Sequence, residues 1–263
     1  MIKLKTEAEI AILAEGGRRL ARILDALKDL VRPGVTTAAL DQAAYDRVVA
    51  GGDRPAFLHY RPSGVRTPYP ASLCVSVNEE VVHGIPAPDR PLKEGDIVGL
   101  DLGLEHEGLY TDMAITVPVG AISPEAARLI EVTCDTLTGA IKLARPGHTL
   151  GDLGAYIEGE ARRHGFGLVT ELGGHGVGHK IHEEPQVPNE GKKGRGLKLE
   201  PGLVIAIEPM FTLGTGEVIF LPDEYTVITA DGSPSAHFER TIAVTEGEPV
   251  VLTADNPLSS PLR

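Results

Sequence analysis

No apolar run in this sequence exceeds five residues, the length reached by Leu203–Ile207, so nothing in it has the reach of ~20 residues that a membrane-crossing helix needs. The opening stretch from Met1 to Glu15 scatters charge among its apolar side chains and lacks the apolar block of a secretory signal. Cysteine is scarce. Cys74 and Cys134 lie far apart, which excludes a cysteine-based zinc site and, without an export signal, favours reduced thiols in the cytosol. Positive charge is in deficit, with 25 Lys and Arg against 37 Asp and Glu, a net charge of -12. An acidic chain of this kind does not supply the clustered positive surface of a duplex nucleic-acid binder. The basic group Lys192, Lys193, Arg195 and Lys198 sits among glycines and reads as a solvated loop. What remains, 263 residues that are 42% hydrophobic and 24% charged, suffices for a large buried core in a soluble, cytoplasmic protein.

Four helices are signalled by their ends. Thr6-Glu-Ala-Glu9 is a capping box ahead of apolar Ile10, Leu13, Leu20, Ile23, Leu24, Leu27 and Leu30, and the pattern stops at Arg32-Pro33-Gly34. Thr36 or Thr37 opens a second helix that reaches about Ala50, before Gly51-Gly52. Ser123-Pro124-Glu125 opens a third, which stops at Arg145-Pro146-Gly147, and Thr149 caps a fourth running to about His164. Arg-Pro-Gly-x-Thr-x-x-x-Leu thus occurs twice. The repetition extends to the strands, because Leu92-x-x-Gly95-x-Ile97-Val98-x-Leu100-Asp101 matches Leu199-x-x-Gly202-x-Val204-Ile205-x-Ile207-Glu208. Asp112-x-x-Ile115-Thr-Val117 is echoed by Glu239-x-Thr-Ile242-Ala-Val244, and His83-x-x-Pro86 by His182-x-x-Pro185. Four pairs in one order predict two copies of an αβ unit, halves of about 1–120 and 121–255 in one domain spanning 1–263. They share a sheet with helices on one side and a cleft between them, and 256–263 reads as a loose tail.

The acids demand an explanation. Asp101 interrupts a strand-like apolar run, where an ionised carboxylate is costly unless paired or bound to a cation. A turn at Glu105-His106-Glu107-Gly108 then returns the chain as a second strand. If that turn centres between His106 and Glu107, Asp101 faces Asp112 directly, with Cβ atoms about 4.5 to 5.5 Å apart, and the like charges require a bridging dication. Glu208 ends the run Leu203–Ile207, and Glu239 precedes the strand Thr241–Val244, so the problem recurs in the second half. A further ligand is expected within Gly173-Gly-His175-Gly-Val-Gly178-His179-Lys-Ile-His182, whose glycines would let the backbone crowd close to a cofactor or substrate. Spacing alone does not choose among the three histidines. The His-Glu-x-x-His spacing of a zincin helix is absent. Four carboxylates and an imidazole suit two divalent ions such as manganese, iron(II), cobalt or zinc, about 3.5 to 4 Å apart.

Together, Asn78-Glu-x-x-x-His83-Gly-Ile-Pro86, Asp101, Asp112, Gly174-His175-Gly-Val-Gly, His182-Glu-Glu-Pro185, Glu208-Pro-Met210 and Glu239 resemble the type I methionine aminopeptidases over nearly the whole chain. The resemblance implies the α+β pita-bread fold, two pseudo-symmetric αβ halves sharing a curved antiparallel sheet with helices on its outer face. It implies Asp101, Asp112, His175, Glu208 and Glu239 as metal ligands, with Asp112 and Glu239 bridging both ions. In the implied mechanism, water held between the metals attacks the first peptide carbonyl. His182 stabilises the oxyanion, while Glu208 and His83 move protons. The methionine slot would be built from Tyr69, Cys74, His83, Ile181, His182 and Tyr225. Position 181 is Ile where some relatives place an aromatic, and the stretch His59–Pro68 is longer than the family pattern.

By the same resemblance, the substrates are nascent polypeptides that begin with Met followed by a small residue, and Met1-Ile2 predicts that the protein keeps its own methionine. Transient ribosome association is implied, though Phe211–Asp231 contains no Lys or Arg to serve it. A monomer with no direct nucleic-acid or membrane role is expected. Two other readings use the same fold, a dipeptidase or proline-directed aminopeptidase and a non-catalytic peptide, histone or ribosome binder. Intact ligand positions argue against the last.

Overall fold

The computed structural model describes residues 2–254, and the proposed tail at 256–263 lies outside them. The four helices begin where their capping residues place them. α1 spans Glu7–Lys28, and Glu9 accepts the Thr6 backbone N–H at 2.8 Å while Glu9 N–H donates back to the Thr6 hydroxyl at 3.3 Å. α2 spans Thr37–Ala50, α3 Pro124–Lys142 and α4 Leu150–His164. Ser123 Oγ accepts from Ala126 N–H at the start of α3, and Pro124 takes the first turn, where its missing N–H costs nothing. Gly165, with φ 75°, stops α4 in the left-handed conformation typical of helix C-termini.

The helices cover one face of a mixed-length antiparallel sheet. Its centre is a hairpin, Ile97–His106 with Leu109–Pro118, flanked by Leu73–Val77 on one side and by Glu239–Ala243 on the other. Beyond Glu239–Ala243 the order continues through Val204–Ile207 and Gly173–Gly176 to Glu183–Pro188. The strand of the second half, Glu239–Ala243, therefore pairs directly with the returning strand of the first, so one sheet runs through both halves. Side chains alternate between faces. Leu100, Leu102 and Leu104, with Met113, Ile115, Ile205, Ile207 and Ile242, pack in one buried cluster with Leu20, Leu24 and Leu27 of α1 and Leu129 and Leu137 of α3. The opposite face of the same strands carries Asp101, Asp112 and Glu239. The α+β class and the helix-covered, two-part sheet are as expected.

The register of the central hairpin corrects one expectation. Glu107 and Gly108 both have positive φ (49° and 83°), which is what a two-residue hairpin turn of type I′ requires. The turn therefore centres between Glu107 and Gly108, one position later than anticipated. Asp101 lies opposite Ala114, and Asp112 opposite Gly103. The two aspartates are diagonal neighbours on one face, with Cα atoms typically about 7 to 8 Å apart, rather than directly opposed.

Candidate metal centre

Three strands meet at Ala114. Its register partners are Asp101 on one side and Glu239 on the other, and Asp112 stands two residues earlier on its own strand. All four side chains consequently project from the same face. Glu208 follows the strand Val204–Ile207, whose last residue pairs with Arg240. A step further in that register brings Glu208 beside Glu239. The Thr241 hydroxyl fixes the backbone beneath, accepting from Asp112 N–H at 2.9 Å and donating to Asp112 C=O at 2.8 Å.

His175 closes the cluster from the glycine strand. Its Nε2 lies 3.8 Å from Asp112 Oδ2, 3.6 Å from Glu208 Oε1 and 3.9 Å from Glu239 Oε1. Its Nδ1 is 3.0 Å from the Gly176 carbonyl, which holds the ring with Nε2 toward the acids. The geometry thus separates three histidines that spacing left equal. His179 turns away to Glu9 at 2.7 Å. His182 lines the cavity, stacked edge-on against His175 at 4.4 Å between ring centres, with Nδ1 2.9 Å from the Tyr60 hydroxyl.

The flanking glycines lie against neighbouring backbone. A Cβ on Gly174 would stand 2.2 Å from the Ala206 carbonyl oxygen, and one on Gly176 2.2 Å from that of Glu184. They permit close backbone approach between neighbouring strands, which is what carries His175 to the acids.

Within the cluster, ligand atoms of Asp101, Asp112 and Glu239 lie within 4.8 Å of one another, as do those of His175, Glu208 and Glu239. All four carboxylates are buried. Burial, compounded by the charge of Glu208, raises Asp101 to about 7, and burial raises Glu208 to about 7. Asp112 and Glu239 are pushed well above the ordinary carboxylate range by burial and then by neighbouring carboxylates. Asp101 Oδ1 and Glu239 Oε1 are buried and find no hydrogen-bond partner among the described residues. Orphaned carboxylate oxygens cost several kcal/mol each unless a cation meets them. An oxygen-rich set of this geometry with one imidazole fits divalent ions, and it offers more ligand atoms than one small ion takes.

The cluster forms the floor of a cavity of about 990 Å³. Tyr69, Cys74, His83, His182 and Tyr225 line it, and Ile181 packs with Phe57, Tyr69, Cys74 and Tyr225 in an apolar cluster alongside. Cys74 is the register partner of Asp101, so this apolar wall begins directly beside the acids. Tyr69 and Tyr225 meet edge-to-face with ring centres 5.0 Å apart, and the Tyr69 hydroxyl donates to Gly84 C=O at 2.9 Å. Burial and the nearby His237 hold His83 down at about 4; the enclosing cavity wall and the adjacent His175 hold His182 at about 3, although its ring stays exposed to the cavity. Both are neutral imidazoles at physiological pH.

Two residues of this site escaped the sequence reading. His237 is buried with Nε2 3.4 Å from Glu208 Oε2, yet a lone histidine two positions before Glu239 gave no periodic or spacing signal. Tyr60 lies in the long stretch 59–68, where only the unusual length drew attention. The basic group at Lys192, Lys193, Arg195 and Lys198 is exposed, as a solvated loop should be.

Residues 11–246 match the model of metallopeptidase family M24. The methionine aminopeptidase of Aquifex aeolicus (strain VF5) is 44% identical over 256 residues, covering 96% of this chain and 98% of that protein. Methionine aminopeptidase 1 of Bacillus subtilis (strain 168) is 44% identical over 246 residues, 94% of this chain and 96% of the relative. Among solved structures, the methionine aminopeptidase from Rickettsia prowazekii superposes with a TM-score of 0.93 at 37% identity, covering 97% of this chain and all (100%) of that one. A prolidase from Pyrococcus horikoshii OT3, with a TM-score of 0.73 at 22% identity, shares the fold.

Proposed function

Because the chain belongs to metallopeptidase family M24 and matches methionine aminopeptidases nearly end to end, we propose that Asp101, Asp112, His175, Glu208 and Glu239 hold the divalent ions with which it removes an N-terminal methionine. The observation that carries this reading is the convergence of four buried carboxylates and the His175 Nε2 on one floor, with Asp101 Oδ1 and Glu239 Oε1 left without partners. Asp112 from the first half and Glu239 from the second would both hold the ions, each belonging to two of the candidate ligand groups. When bound, the ions supply a Lewis acid for the first peptide carbonyl and an activated water as nucleophile.

The remaining steps belong to the chain's own side chains. The slot beside Asp101, walled by Tyr69, Cys74, Ile181 and Tyr225, takes an unbranched apolar side chain and so orients methionine with its amino group toward the acids. Neutral His182 presents a ring nitrogen to the cavity and stabilises charge developing on the carbonyl oxygen. Glu208, held near neutral range by burial, is placed to take up and return a proton, with His83 on the same wall as a second candidate.

The substrates are then the N-termini of newly made chains, met in the cytosol. No helix among the described residues is long and apolar enough to cross a membrane. Hydrolysis of Met-Ala-Ser, abolished by exhaustive EDTA and restored by a divalent metal, is the expected result. Equal hydrolysis after chelation, or by an Asp112→Ala protein, would overturn the metal-dependent mechanism, and faster cleavage of Xaa-Pro substrates would reassign the specificity.

A further inference from the structure

The long segment 59–68 forms part of the cavity wall and is tied down at several points. His59 takes a left-handed backbone conformation, with φ 65°, and its N–H donates to Tyr69 C=O at 2.9 Å. Tyr60 N–H donates to Phe57 C=O and Tyr69 N–H to Tyr60 C=O, both at 2.8 Å. From the second half, the Tyr225 hydroxyl donates to the carbonyls of Tyr60 (3.2 Å) and Thr67 (2.6 Å), and Glu224 accepts from Arg66 Nε at 2.8 Å. The backbone of Tyr60 is thereby fixed without using its side chain. That side chain reaches His182, with its hydroxyl 2.9 Å from Nδ1 and the rings 5.1 Å apart at 57°. A nitrogen of His182 lies within 4.8 Å of ligand atoms on both Asp112 and His175.

A neutral imidazole carries one donor and one acceptor nitrogen, and the partner at one nitrogen decides which the other will be. Among the described residues, Nδ1 of His182 is the one hydrogen-bond partner of the Tyr60 hydroxyl. We propose that Tyr60 is a positioning residue for His182, its hydroxyl donating to Nδ1 so that Nε2 bears the proton and offers it to the carbonyl oxygen of the first peptide bond. This rests on the reading of His182 given above. With Nδ1 protonated instead, Nε2 would present a lone pair to a developing oxyanion and repel it. Tyr60 therefore sets both the orientation and the polarity of the nearest imidazole on the cavity wall.

The test is a double-mutant cycle on the metal-loaded full chain, with Met-Ala-Ser as substrate. Tyr60→Phe keeps the ring contact and every backbone anchor of the segment, so metal content and melting temperature should match the parent. Its kcat should fall roughly 10-fold with KM little changed, the lower end of the effect of losing a group that orients a functional imidazole. In a His182→Ala background the same substitution should cost nothing further. The ¹⁵N shifts of the His182 ring should report protonated Nε2 in the parent and a mixture of tautomers in Tyr60→Phe. Parent-like kcat in Tyr60→Phe beside a slow His182→Ala protein would overturn the role of Tyr60 alone. So would an equal loss in both backgrounds. A fully active His182→Ala protein would instead overturn the assignment of His182, and the role of Tyr60 with it.

Discussion

Ala114 is paired with Glu239 across the junction between the two halves, and its buried methyl group lies at the middle of the carboxylate cluster, with Asp101 on its other side. Its methyl projects from the same sheet face as the side chains of Asp101, Asp112 and Glu239.

Enlarging it should therefore damage the site before it damages the fold. Ala114→Val pushes added methyls between Asp101 and Glu239 and is expected to cost about 1 to 3 kcal/mol by overpacking. Bound metal per chain, measured by elemental analysis after dialysis, should drop well below the parent value. Ala114→Gly should keep its metal, and a Val variant with full metal content would show that the floor is not the binding space.

Metal-free protein should be more stable in mild acid than at alkaline pH. The carboxyls of Asp101 and Glu208 hold their protons up to about 7 in the folded chain, against ordinary values of 3.8 and 4.5, and Asp112 and Glu239 are also raised well above the ordinary carboxylate range. A proton bound more tightly when folded favours the folded state fully below the unfolded value. That contribution is lost as pH rises through the folded one. Melting temperature of the EDTA-treated protein should thus fall from pH 5 to pH 8. Metal binding should reverse the trend, because ligands must shed protons to bind. A flat apo profile would contradict the mutual repulsion of these acids.

Thr241→Val should destabilise the chain by about 1 to 3 kcal/mol although the shape is conserved, because the buried N–H and C=O of Asp112 both lose their hydroxyl partner. Thr241→Ser should recover most of the loss. Urea unfolding of the three proteins measures the difference, and an unchanged midpoint for the Val variant would refute it.

The N-terminal segment should support the loop that carries His182. Lys5 is buried and pairs with Glu183, and its backbone N–H donates to Gly202 C=O at 2.7 Å. Lys5→Met leaves Glu183 without its partner. Because that carboxylate retains some contact with solvent, the expected cost is up to about 3 kcal/mol, short of a fully buried pair. Limited proteolysis should find new cleavage around 178–184 in the variant, and a parent-like digestion pattern would refute the coupling.

The element ends were legible in the chain because each is written locally. Thr6 with Glu9, Ser123 with Pro124 and Gly165 satisfy or terminate a helix through neighbours within a few residues. The acids were legible for an energetic reason, since Asp101, Asp112, Glu208 and Glu239 sit on apolar strands that would not otherwise tolerate them. The hairpin register was not, because one residue of difference in the turn centre depends on the backbone angles of Glu107 and Gly108. Composition alone does not distinguish that turn from its neighbour.

Repetition and cost are what the chain carries locally: two similar αβ units, four capped helices, and a set of carboxylates on apolar strands that are costly without a partner. Tertiary structure decided which histidine joins them, that His237 and Tyr60 stand beside them, and that Asp101 and Glu239 flank Ala114. Two of those relations, Tyr60 with His182 and Ala114 with Glu239, connect residues more than a hundred positions apart. They follow from how the strand Glu239–Ala243 registers against Leu109–Pro118 and how closely the glycine strand approaches Val204–Ile207. Neither distance is encoded by any short stretch of chain.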